Sequence, residues 1–168
     1  GFYMTLGRLP KVTEFARTED YRNYLARLHQ LPRVMDEYIA LMREGLKQGI
    51  TQPRVILDGR DEPIKAQIVS DVKDSPFYAP FDSMPESVAG GDKAELLATA
   101  EQVIAAEVIP AFRRLDDFFR DEYVPGARES LGATQLPDGQ RYYQAQIKLY
   151  ATVDMSAEEI HQLGLEQV

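Results

Sequence analysis

The stretch "DKAELLATAEQVIAAEVIPAFRRLDDFFRDEYVPG", residues 92–126, decides how the rest of the chain is read. Apolar side chains recur in it every three or four positions: Leu97, Ala100, Ile104, Val108, Phe112, Leu115, Phe119 and Tyr123. That spacing follows the 3.6-residue turn of an α-helix and not the two-residue alternation of a strand. It predicts one long helix with a single apolar stripe. Asp92 and Glu95 have the spacing of an N-terminal capping pair. Pro110 should bend the helix, and Pro125 with Gly126 should end or redirect it.

Working back from this stretch, the same period persists. In "LPRVMDEYIALMREGLKQGI", residues 31–50, the series Leu31, Met35, Tyr38, Met42 and Leu46 shares a face that begins near Pro32 and stops at Gly49. Proline in a first turn and glycine just past a last one is the expected asymmetry of a helix. In "TEDYRNYLARLHQ", residues 18–30, Thr18 suits an N-cap, two acids fill the first turn, and Tyr21, Leu25 and Leu28 form the stripe. So few residues separate these two patterns that they predict an antiparallel helical hairpin turning at Pro32. A third helix is expected from Pro53 through Val55, Ile56, Ile64, Ile68 and Val72, kinked or split at Pro63. "KDSPFYAPFDSMPESVAGG", residues 73–91, breaks the pattern with three prolines and a glycine pair. It reads as a long surface-crossing loop pinned to the helices by Phe77, Tyr78 and Phe81.

Working forward, "LGATQLPDGQ", residues 131–140, is a turn-rich connection. "RYYQAQIKLYATV", residues 141–153, suits a strand or a helix, and its helical neighbours favour the helix. In "MSAEEIHQLGLEQV", residues 155–168, Ser156 and Glu159 form a capping box, with Met155 and Ile160 at the positions of a hydrophobic staple. A helix this short gains little by itself, so it either packs on this region or continues in further polypeptide. The expected fold is all-α: residues 1–168 as a single helical region, a multi-helix array of antiparallel helices with one long irregular Pro/aromatic loop.

Bulk composition narrows the function. A chain of 168 residues, 44% hydrophobic and 27% charged, is large enough for one real core and too apolar for disorder. Its net charge of −8 carries no clustered Lys and Arg, which disfavours nucleic acid. No apolar run approaches the roughly 20 residues that span a bilayer. The chain has no cysteine, which excludes disulfides and thiolate metal sites. No basic-then-apolar leader precedes Gly1, so a secretory signal is either absent or upstream of this sequence.

Few residues suggest chemistry. Glu158 and His161 have the Glu-x-x-His spacing of carboxylate-bridged metal sites, yet the only other histidine, His29, lacks that context, and a cap beside a chance histidine explains the pair better. Neither histidine opens a His-Glu-x-x-His motif, and no Gly-x-Ser-x-Gly elbow occurs. "AGGDK" lacks the rest of a phosphate loop and reads as a flexible glycine turn with an Asp cap. Asp116, Asp117, Asp121 and Glu122 lie among Arg113, Arg114 and Arg120 and read as an ion-paired solvated face. An interfacial membrane helix is disfavoured because the long helix mixes acids and bases on its polar face. No catalytic residue and no metal ligand is assigned. Tyr142, Tyr143 and Tyr150 are the candidates for substrate binding, because phenols often line grooves with the ring buried and the hydroxyl at the edge.

Several stretches together resemble the N-terminal half of a bacterial family, domain of unknown function family 885. They are "YLARLHQLPRVMDEYIALMREGLKQGITQPRVIL", "SPFYAPF", "VIPAFRRLDDFFRDEYVPGAR", "LPDGQRYYQAQI" and "SAEEIHQLGLEQV", in the family's order. The resemblance implies a long, almost wholly helical protein similar to gluzincin-type zinc metallopeptidases, many with secretion or lipoprotein signals. It therefore implies the bacterial periplasm or cell envelope, with the cytoplasm as the other location. The family's His-Glu-x-x-His helix lies downstream of everything matched here, so no cofactor is expected in this chain and zinc is expected in the full-length protein. On this reading the chain is an N-terminal scaffold and substrate-channel wall, inactive alone. Its partners are the missing C-terminal half and a peptide substrate, and apolar surface left bare would let the fragment self-associate. The rival reading is a non-enzymatic helical protein-binding module that uses the loop around Phe77 and Phe81.

Overall fold

The computed structural model describes residues 2–167, and its regular elements there are helical apart from one isolated β-bridge joining Pro53 to Arg128. Short α1 (Phe2–Gly7) and α2 (Leu9–Val12) lead into α3 (Thr18–Lys47). A one-turn α4 (Glu62–Lys65) follows, then α5 (Gly90–Val103), α6 (Ile109–Phe118), α7 (Val124–Gly126), α8 (Gly139–Ala151) and α9 (Ala157–Glu166).

The hairpin expected at Pro32 does not form. α3 is one helix of 30 residues with Pro32 inside it. Tyr21, Tyr24, Leu25, Leu28, Leu31, Met35 and Ile39 are all buried, and their stripe stays in phase on both sides of the proline. An interior proline costs about 3 kcal/mol, whereas each large apolar side chain withdrawn from water contributes about 1.5–3 kcal/mol. Breaking the helix at Pro32 would turn Met35 and Ile39 away from the core. Thr18 is not the cap either. The entry is held by Asp20, whose carboxylate accepts from the N–H groups of Ala16 at 3.0 Å and Arg17 at 2.8 Å. The exit agrees with the sequence pattern. Gly49 adopts φ +70°, and the N–H of Ile50 donates to the Gly45 carbonyl at 2.8 Å, closing the Schellman arrangement.

α5, α6 and α7 form one continuous run joined by two π turns, Ile104–Val108 and Phe119–Tyr123. Each π turn ends just before a proline-led segment. The N–H groups of Ile109 and Val124 reach back to Ile104 and Phe119, one residue further than in an α-helix. Widening the turn lets Pro110 and Pro125 sit in the first turn of the next α-helical segment, where a missing N–H is tolerated. The run starts at Gly90, ahead of the expected Asp92 cap. Asp92 falls in the first turn and accepts from Thr18 Oγ1 at 3.1 Å instead.

α3 and this second long helix run parallel, where the sequence pattern predicts antiparallel neighbours. Their cross-helix side-chain contacts advance together: Arg22 with Asp92 at 3.3 Å, His29 with Glu107 at 2.9 Å, Asp36 with Arg114 at 3.1 Å, and Arg43 with Glu122. Residues 48–89 therefore have to carry the chain back along the pair. The helix expected from Pro53 is absent from that return. It is replaced by a 3-10 turn Arg54–Ile56, the left-handed Gly59 at φ +68°, and α4 with Pro63 in its first turn. Val55 and Ile56 are exposed and bring no burial that would hold a longer helix. The aromatic loop behaves as its sequence predicts: Phe77, Tyr78, Phe81 and Val88 are buried, and Phe77 meets Phe112 with ring centroids 5.8 Å apart.

Candidate functional site

Past α7 the chain leaves the packed body through a fixed knuckle. The Arg54 guanidinium donates to the carbonyls of Val124 at 3.1 Å and Ala127 at 3.2 Å, neutralising the negative end of the long helix. Arg128 then ties the outgoing segment to the segment just after α3: its N–H donates to Thr51 Oγ1 at 3.0 Å and its Nε to the Thr51 carbonyl at 2.9 Å. The same guanidinium reaches the Gly132 carbonyl at 3.1 Å. A 3-10 turn, Ala133–Gln135, and the left-handed Asp138 at φ 53° deliver the chain to α8. At its first residue a side chain is impossible without movement, because a Cβ on Gly139 would lie 2.4 Å from the Ala133 carbonyl oxygen.

α8 and α9 form an arm standing on this knuckle. Thr152, left-handed at φ 56°, ends α8. Gln144 Nε2 donates to the Met155 carbonyl at 2.6 Å and fixes the start of the return. The capping box at α9 forms as its sequence predicts. Ser156 Oγ accepts from the Glu159 N–H at 3.2 Å, and the Glu159 carboxylate accepts from the Ser156 N–H at 2.7 Å. The Ser156 N–H, and after it the Ser156 hydroxyl donating at 2.8 Å, hold the Glu159 carboxyl below the ordinary value.

The three candidate tyrosines all lie on α8. Tyr150 is 81% exposed, Tyr142 50% and Tyr143 42%. Leu149 is 65% exposed between them. At 100° per residue, Leu149, Tyr142, Tyr150, Tyr143 and Ile147 fall within an arc of about 160°. Arg141, Gln144 and Lys148 occupy the opposite side. Along α9, Leu163 and Leu165 are exposed as well. A helix with so broad an apolar arc is normally covered, and the helical body leaves this one open.

Other motifs resolve into structural contacts. Glu158 accepts from Gln162 Nε2 at 2.8 Å, and His161 is exposed. His29 is spent on Glu107. Among the described residues no three His, Cys, Asp or Glu side chains come together to hold a metal ion, so these residues do not fit a zinc centre. The glycine pair of "AGGDK" is not a loop at all and forms the first turn of α5. Phe77 and Phe81, on which the binding-module reading depends, are inside the core and offer no docking surface.

The solvated face expected at residues 116–122 is correct in part. Arg120 spans Asp117 at 2.8 Å and Asp121 at 2.8 Å, while Arg43 holds Glu122 and lies 5.2 Å from the centroid of the Phe118 ring. Asp116 departs from that reading: it is 8% exposed, and its Oδ1 is buried with no hydrogen-bond partner. The signal for this is its phase. Asp116 follows Phe112 by one turn and precedes Phe119 by one, so it shares the apolar stripe.

The family described as bacterial protein of unknown function, DUF885, matches residues 1–168. A solved structure described as "the putative lipoprotein from Colwellia psychrerythraea" shares the fold with a TM-score of 0.80 at 22% identity. The match covers 94% of this chain and 27% of that one, so this chain spans about a quarter of the length of the structure it resembles. No curated protein matches the chain. No described helix is long and apolar enough to cross a membrane.

Proposed function

The chain belongs to the bacterial DUF885 family, and on that premise we propose that it is the helical scaffold of a larger zinc-dependent peptidase of the bacterial cell envelope. In this reading the metal and the catalytic groups belong to further polypeptide, and this unit supplies one wall of the substrate channel. The observation that carries it is the arm: an apolar, tyrosine-rich helix held rigidly by its knuckle and left uncovered by the body. Tyr142, Tyr143 and Tyr150 can place their rings against protein and their hydroxyls at a wet edge, where a peptide backbone offers partners. The envelope location is supported by the lipoprotein description of the structural relative.

The test compares the full-length protein with the 168-residue chain on a mixed peptide substrate, with and without a chelator. The expected outcome is chelator-sensitive hydrolysis by the full-length protein, restored by zinc, and none by the shorter chain. Hydrolysis by the shorter chain, or full-length activity indifferent to chelation, would overturn the proposal.

A further inference from the structure

We propose that the apolar arc of α8, with the adjoining face of α9, is an interdomain interface whose occupant is the polypeptide lying outside this fold in the longer protein. This rests on the peptidase reading only in requiring that the chain be part of a larger whole. Three observations carry it. First, the arc is broad: Tyr143, Ile147 and Tyr150 form one row and Tyr142 with Leu149 the next, with Gln146 between the rows, and of these apolar side chains only Ile147 is half-buried while the others are exposed. A helix of this length exposed on all sides is marginal in water. Second, the arm is positioned and not tethered. Gly139 packs against the Ala133–Thr134 backbone, Arg128 locks the knuckle, and Gln144 pins the turn into α9. Orientation fixed before contact lowers the cost of docking. Third, the structural relative carries the larger part of its length outside the shared fold, so there is enough polypeptide to cover the arm.

The arc itself specifies the chemistry of the occupant. It carries no charged side chain, because Arg141 and Lys148 lie on the opposite side of α8 and Lys148 is paired with Asp154 at 3.6 Å. The matching surface is therefore apolar, with polar groups only at its rim, where the tyrosine hydroxyls lie. The rings of Tyr142, Tyr143 and Tyr150 then lie in the interface, with their hydroxyls at its rim.

Hydrogen–deuterium exchange on the full-length protein and on the 168-residue chain tests this. Residues 139–167 should exchange slower by on the order of tenfold or more in the full-length protein. The double substitution Tyr143→Asp, Leu149→Asp should abolish that protection while leaving the exchange of α3 unchanged, which separates lost docking from lost folding. Equal exchange of residues 139–167 in the two proteins overturns the interface. So does protection in the short chain that rises with its concentration, which would make the occupant a second copy. Peptide hydrolysis is not the readout, so an inactive full-length protein with a protected arm would overturn the peptidase reading and leave the interface standing.

Discussion

The Tyr24 hydroxyl donates to the Phe77 carbonyl across 3.0 Å, with both residues wholly withdrawn from solvent. The bond joins the N-terminal part of α3 to the aromatic loop, an irregular segment whose side chains enter the core. Around it the rings of Phe15 and Phe81 pack against Tyr24, and Tyr21 packs against the same two. The loop is irregular in backbone and fixed in place, and this hydroxyl is the polar part of what fixes it. Tyr24→Phe keeps the ring and strands the carbonyl. A buried acceptor left unpaired costs about 1–3 kcal/mol. The urea midpoint should fall by a corresponding amount with no change in far-UV helicity, and an unchanged midpoint would remove the bond from any account of stability.

The same residue predicts how the fold responds to alkali. Burial pushes the Tyr24 phenol well above its ordinary range, and it raises Tyr21 and Tyr78 as well, with Asp20 and Glu101 respectively adding to the shift. A group whose folded pKa lies above its unfolded value stabilises the fold fully below the unfolded value, about pH 10 for tyrosine. That contribution is lost as pH rises beyond about 10. Stability measured from pH 8 to 11 should therefore decline at the alkaline end, and Tyr24→Phe should flatten the decline. A variant whose alkaline decline is as steep as that of the parent would contradict this assignment.

The sequence and the structure diverge mainly at the prolines. Pro32 reads locally as a stop, and local reading is where a sequence is weakest, because the cost of a proline is fixed while the benefit of continuing depends on what the helix will bury. The phase of Leu28, Leu31, Met35 and Ile39 carries straight across Pro32. That continuity is legible in the sequence and outranks the proline. Pro110 and Pro125 are different. Nothing in the sequence announces a π turn, since the register shift appears only once the helix lies along α3. The cross-helix contacts are likewise invisible beforehand, because each joins residues about 70–80 positions apart and arises from a parallel packing that no local pattern encodes. Caps are more local: Ser156 with Glu159 and the Gly49 exit form as read, whereas Thr18 and Asp92 fall inside their first turns because each helix starts earlier than its pattern indicates. The arm's tyrosines are legible as candidates, and what the sequence cannot tell is that the body leaves them bare.

Pro32 yields a prediction of its own. The Leu28 carbonyl has no helical donor opposite it, because proline lacks the N–H, and Pro32 is half-buried in the middle of α3. Pro32→Ala restores the donor and removes the ring. The helix gains up to about 3 kcal/mol from propensity, reduced by the freedom returned to the unfolded chain. A net stabilisation of about 1 kcal/mol or more is expected in urea titrations. If the variant is less stable than the parent, the proline ring is filling space that alanine cannot.

At the acid end, Asp20 is the group to follow. Its carboxyl is held below the ordinary aspartate value, first by the Arg17 N–H and then by that of Ala16. A folded pKa below the unfolded one stabilises above the unfolded value and is lost as pH falls through the folded one. The start of α3 should therefore loosen below about pH 4. Asp20→Asn keeps an acceptor without the charge. It should remove this part of the acid dependence, detectable as a smaller change in amide exchange at residues 16–20 between pH 6 and pH 3. An identical acid response in both proteins would mean that other carboxylates, such as Glu122 under Arg43, govern it.

Two glycines of the arm separate the rigidity of its base from the stability of its end. A Cβ at Gly139 would lie 2.4 Å from the Ala133 carbonyl oxygen and 2.6 Å from the Thr134 carbonyl carbon, both backbone atoms that cannot swing aside. Gly139→Ala must therefore push α8 off the knuckle, at a cost of about 1–3 kcal/mol by the usual scale of overpacking. Gly164 sits inside α9 with open space where a Cβ would go. There alanine should add helix stability of up to about 1 kcal/mol. The two substitutions are chemically identical, so composition cannot explain opposite results. Amide exchange across residues 133–167 should quicken in Gly139→Ala and slow near α9 in Gly164→Ala. If Gly139→Ala leaves exchange at residues 133–142 untouched, the knuckle is soft, and α8 is a loosely tethered helix whose direction is not set by the body.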